Sequence, residues 1–169
     1  MKAKIALPGL ILLLLIGLGV LSHAPAAGYT RVELTQAGTG KTILSIVLRD
    51  GEHAVLTWRN SLFGLDVTEV FQAKAGMLIL DQVTYDDPRG LPPPTVSPAD
   101  VDDLYQTGGP FTAGGLGKPF RRVIYRVSEI GDPQMRIRDR VVAFKQEVGF
   151  GGAVILTASA AKLHETFPR

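Results

Sequence analysis

The sequence has no cysteine, only three histidines and a single tryptophan, Trp58, in 169 residues. Without cysteine there is no disulfide, no thiol chemistry and no thiolate-bound metal, so the fold must be held by its core and its hydrogen bonds. His23, His53 and His164 are scattered and form no H-E-x-x-H pair, which removes the usual zinc-hydrolase pattern. No metal or other cofactor is expected. A G-x-S-x-G nucleophile elbow is also missing, and no internal repeat is visible. Excess charge is lacking too. Of the 18 Lys and Arg, Lys2 and Lys4 precede residue 27, leaving 16 against 16 Asp and Glu.

One long apolar run is present. MKAKIALPGLILLLLIGLGVLS sets Lys2 and Lys4 before Ile5 to Val20, and SHAPAAG comes after it, so residues 1–26 read as an export signal cleaved after Ala26. The run approaches bilayer-spanning length, which leaves an uncleaved N-terminal membrane anchor as the second form of the same expectation. Either way residues 27–169 form a single β-rich domain in the periplasm, touching the membrane only through the N-terminal segment.

Charge is divided along that domain. Six acids between residues 81 and 103 face one base, Arg89, whereas residues 118–145 carry eight bases against Glu129, Asp132 and Asp139. A nucleic-acid partner would need the basic stretch unopposed and interleaved with aromatics. Mutual pairing or solvation is expected instead.

Short apolar or alternating runs separated by turn residues indicate strands: Tyr29 to Leu34, Thr42 to Leu48, Ala54 to Asn60, Val67 to Gln72 and Met77 to Tyr85. Gly40-Lys41-Thr42 matches the second half of a phosphate-binding loop, but Thr35 stands where that loop begins with glycine. The run downstream, ILSIVL, is β-branched, so a hairpin turn is preferred to a nucleotide site. Ser97-Pro98-Ala99-Asp100 opens a short helix to Tyr105. The five glycines of Gln106 to Phe120 suggest a mobile loop. Strands resume at Arg121 to Val127, Arg136 to Phe144 and Ala153 to Thr157; the middle one alternates Met135, Ile137, Val141 and Ala143 with Arg136, Arg138 and Arg140. The tail is a short helix or frays. The expected fold is all-β, an antiparallel β-sandwich or incomplete barrel with one short helix.

LTWRNSLFGLDVTEVFQ, Leu56 to Gln72, carries the most chemistry. If residues 61–66 close a hairpin, Trp58 pairs with Glu69 and Leu56 with Phe71. A carboxylate then sits in an apolar row, where it must be paired or protonated. Glu69 is either a binding-site acid or one half of an ion pair with an arginine. Trp58, Asn60 and Ser61 are the binding residues expected beside it.

This segment resembles the signature of the small exported bacterial proteins grouped as domain of unknown function 1850, a threonine-x-His-Ser-Val stretch followed by Pro-Val-x-Glu-x-aromatic. The His-Ser-Val falls on Asn60-Ser61-Leu62, Pro-Val on Asp66-Val67, and Glu-x-aromatic on Glu69-Val70-Phe71. GMLILDQVTYDDPRGLP resembles a second block, with Gly90-Leu91-Pro92 at its Gly-Leu-Pro, and RIRDRVVAF weakly resembles a late His-Arg-Leu strand. Asn60 replaces the histidine and Asp66 the proline, so no acid–base or metal role of that histidine carries over.

The resemblance implies a non-enzymatic accessory of a tripartite solute-uptake system, partnered with a membrane transporter component or a periplasmic solute-binding protein. Two other functions remain open from the residues: a small-ligand carrier whose cavity is closed by the Gln106 to Phe120 loop, and a hydrolase using Ser61, which lacks an evident base.

Overall fold

The computed structural model describes residues 25–166. The expected export signal or anchor lies outside them up to Ala24, and the expected cleavage point after Ala26 falls just inside the first strand. Ten strands run in order: β1 (Pro25–Gln36), β2 (Thr42–Arg49), β3 (His53–Asn60), β4 (Leu65–Lys74), β5 (Met77–Asp86), β6 (Phe111–Phe120), β7 (Arg122–Arg126), β8 (Gln134–Ile137), β9 (Arg140–Ala143) and β10 (Ala153–Lys162). They form two antiparallel sheets, a small one ordered β2-β1-β10-β7 and a large one ordered β6-β5-β4-β3-β8-β9. Short helices α1 (Val101–Thr107), α2 (Phe144–Val148) and α3 (Leu163–Thr166) are inserted between or after them.

Alternation decides which face of each strand is buried. Val32 and Leu34 of β1 and Val154, Leu156 and Ala158 of β10 turn inward from the small sheet. They meet Ala54, Leu56, Phe71, Ala73, Met135 and Ile137 of the large one. That shared core makes the architecture a β-sandwich. Each fully buried Leu or Phe in it contributes about 1.5–3 kcal/mol relative to exposure. A second cluster covers the rest of the inner face of the large sheet, where Val101 and Leu104 of α1 pack over Leu65, Val67, Val83, Tyr85 and Phe111.

Two expectations fail in the second half of the chain. The Gln106 to Phe120 segment is not a mobile loop: from Phe111 onward it is β6, paired with β5 from Leu78↔Phe120 to Tyr85↔Phe111. Glycines absorb the register break between Leu80 and Gln82, and Phe111, Ala113 and Phe120 anchor the strand inward. Arg136 to Phe144 is not one strand but the β8–β9 hairpin, with Arg138 at φ 54° in a two-residue turn. Met135 and Ile137 are buried as expected, yet the return strand buries Val142 and leaves Val141 60% exposed. A two-residue turn leaves no glycine or proline mark here, so the alternation runs through it unbroken.

Other expectations hold. The stretch around Lys41 is a hairpin turn with Thr35 paired to Thr42, and β2 rather than a helix comes after it. Ser97 caps the 3-10 turn Pro98–Asp100 that leads into α1, its hydroxyl accepting from the Ala99 N–H at 3.3 Å. The charged halves meet at one bridge, Lys118 Nζ to Asp102 Oδ1 at 2.9 Å.

Candidate functional site

The β3–β4 hairpin closes two residues tighter than its sequence suggests. Asn60 pairs with Leu65, Trp58 with Val67, Leu56 with Glu69 and Ala54 with Phe71. Two side-chain contacts of Asn60 account for this: its Oδ1 accepts from the Leu62 and Phe63 N–H groups at 3.0 and 3.2 Å. Gly64, at φ 69°, then donates its N–H to the Asn60 carbonyl at 2.8 Å. A four-residue turn at 61–64 results. Because the correction is by two residues, every side chain keeps its face. Trp58 and Glu69 still share the inner face, as diagonal rather than direct neighbours.

Glu69 stands in the inward row Leu65, Val67, Glu69, Phe71, Ala73, half-buried where every other member is buried. The row explains its place: β4 would be an unbroken apolar stripe without it. Its carboxylate accepts from the Trp58 indole N–H and the Tyr125 hydroxyl, one donor from each sheet. Among the described residues no arginine, lysine or histidine forms an ion pair with it. The ion-pair reading of Glu69 is therefore corrected. The many arginines lie on outward faces and turns, where parity keeps them from this row. Burial pushes the Glu69 carboxyl above its ordinary value, and the two neutral donors oppose that shift only in part.

Phenols surround the acid. Tyr125 of β7 is held up by burial, by the charge of Glu69 and by its hydrogen bond to it. Tyr105 of α1 is pushed up to about 12 by burial, with Glu69 and then Asp102 adding to it. Tyr85 of β5 is raised by burial, then by Tyr105 and Glu69, while the Asn60 side chain hydrogen-bonds to it and opposes the rise. Tyr85 stacks on Phe111 at a centroid distance of 5.0 Å and meets Trp58 edge-on at 6.2 Å. These rings fix the Trp58 indole, and with it the donor to Glu69.

A cavity of about 320 Å³ opens beside this carboxylate, lined by the ends of β3 and β7. Trp58, Asn60, Ser61 and Glu69 all line it, so the four residues singled out from sequence converge on one space. Its far wall was not legible in the sequence: Ile124, Tyr125 and Arg126 come from β7, and Ser128, Gly131 and Pro133 from the loop after it. That loop is tied down. Arg59 donates its backbone N–H to the Gly131 carbonyl at 2.7 Å, and Gly131 donates to Ser128 Oγ at 2.8 Å. The cavity is thus built before any ligand arrives.

The four residues do different things in it. Asn60 is committed to the turn and to Tyr85, Trp58 to the aromatic cluster and to Glu69, and Ser61 is exposed at the mouth. Among the described residues no histidine lines the cavity. His53 begins β3 at the end opposite Ser61, about 25 Å away along an extended strand. The hydrolase reading has no imidazole base in place. The Gln106 to Phe120 segment does not line this cavity. Among the described residues no group of three or more His, Asp or Glu could hold a metal ion.

Comparison with family models finds no match, and searches of curated proteins and of solved structures find none either.

Proposed function

We propose that this protein is a small-ligand binding module whose site is the Glu69 cavity between the open ends of the two sheets. One observation carries the reading: a half-buried carboxylate with two neutral donors and, among the described residues, no cation partner lines a cavity of about 320 Å³, a size that suits a small organic molecule. Burying a carboxylate in an apolar row disfavours the fold, and a structural acid would be expected to carry a counter-charge. A binding acid is left open for its ligand.

The setting proposed is export, as an accessory to a solute-uptake system. Its support is the N-terminal Lys2, Lys4 and apolar run, together with the resemblance in Leu56 to Gln72. In that setting the module takes up a solute itself and acts without catalysis.

Trp58 is the single tryptophan, so its fluorescence reports this site alone. A panel of small polar organic molecules should include members that shift Trp58 emission in a saturable way. Ser61→Phe, which fills the mouth from an exposed turn position, should abolish that response without lowering the melting temperature. A response unchanged by Ser61→Phe would place binding elsewhere.

A further inference from the structure

Four features of the cavity bear on the ligand's charge. The first is capacity: an ionised carboxylate offers about four acceptor positions, and Trp58 and Tyr125 occupy two. That leaves acceptor capacity for a ligand in the cavity that Glu69 lines. The second is the missing counter-charge, since among the described residues no cationic side chain forms an ion pair with this acid. The third is the wall: Trp58, Leu62, Ile124 and Pro133 are among the lining residues, and aromatic faces attract cations. The fourth concerns the two cations in the lining. Arg59 is held by Asp66 at 2.7 Å, and Arg126 lies exposed at the rim, where solvent screens it. Neither neutralises the base of the cavity.

We infer that the ligand is a protonated amine with an apolar body, its ammonium group bonded to Glu69 and its body lying against Trp58. An ammonium supplies what the site lacks, a positive charge with N–H donors for the free lone pairs, and it converts an unfavourable buried charge into a charge-assisted hydrogen bond. An anion would meet the carboxylate head-on. A neutral alcohol would donate one hydrogen bond and leave the charge uncompensated.

This inference rests on the cavity being the binding site, and three matched probes separate the two claims. Phenethylamine, phenethyl alcohol and hydrocinnamate share a phenyl body and differ in charge. Each would be titrated at neutral pH into the protein while the Trp58 indole N–H resonance is followed. The amine should bind at least tenfold more tightly than the alcohol, with hydrocinnamate weakest. Glu69→Gln should remove the preference for the amine, and binding of the alcohol to that variant shows that the cavity is intact. Equal or tighter binding of the alcohol or the carboxylate by the native protein would overturn the amine inference and leave the cavity standing. Failure of all three to move the Trp58 signal would overturn both.

Discussion

Trp58 and Glu69 lie diagonally across the β3–β4 hairpin on the inner face of the large sheet, and the indole N–H of one hydrogen-bonds to the carboxylate of the other. The acid is reached by neutral donors and not by a guanidinium, and this fixes its effect on stability.

A carboxyl raised in the folded state favours the fold only while it is protonated. That contribution is fully present below the unfolded value, near 4.5, and is lost as pH rises through the higher folded value. Glu69→Gln should therefore stabilise the protein at neutral pH, with the difference from native vanishing in acid. Glu69→Ala strands only two neutral donors beside an open cavity and should cost about 1 kcal/mol. Loss of one half of a buried ion pair would cost about 3–5 kcal/mol. Denaturant melts of both variants across the acid range decide the matter.

The opposite sign applies to Glu52. Its carboxyl is held below the ordinary value by the hydrogen bonds from Arg138, at 2.7 and 2.9 Å, so its contribution is present above the unfolded value and is lost as pH falls through the lower folded one. Both side chains are over a third exposed or close to it, at 45% and 34%, so solvent screening keeps the pair to about 0–1 kcal/mol. Glu52→Gln should cost no more than that in neutral melts, and nothing in acid.

Gly76 sits at φ 75° in the β4–β5 turn, where an added Cβ would fall 2.6 Å from the backbone nitrogen of Ala160 in the other sheet. Its N–H donates to the buried Thr30 hydroxyl at 3.0 Å. Gly76→Ala should cost about 2–4 kcal/mol, since left-handed strain and a backbone overlap add. The preceding Ala75, at φ 48°, should gain stability as Gly or Asn. Equal melts for Gly76→Ala and native would show that the sheets part easily at this corner.

Lys41 is exposed in the β1–β2 turn, and β2 leaves no helix N-terminus for a phosphate. Lys41→Ala should change stability by less than about 0.5 kcal/mol. Saturable ATP binding that this variant abolishes would contradict the hairpin account.

Much of this architecture could be read from period and turn chemistry. The first five strands, the Ser97 cap and the inward face of Glu69 follow from alternation, which a two-residue register error does not disturb. The turn itself escapes that pattern because Asn60 closes it with a side-chain acceptor, and such capping depends on atoms that a strand pattern does not weigh. β6 was hidden by glycines that permit a bulge as readily as a loop. The β7 wall was beyond reach for a different reason. Tyr125 meets Glu69 only because two sheets stack, and no local pattern encodes which residues face one another across a sandwich.

The most direct test of an unpaired acid at the base of a binding cavity is an NMR pH titration of the Glu69 side-chain carboxyl carbon, with the Trp58 indole N–H followed in the same samples. The predicted result is a midpoint above the ordinary 4.5, shared by the indole signal and absent from the indole of Glu69→Gln. A Glu69 midpoint below 4.5, the mark of a carboxylate already held by a cation, would contradict it.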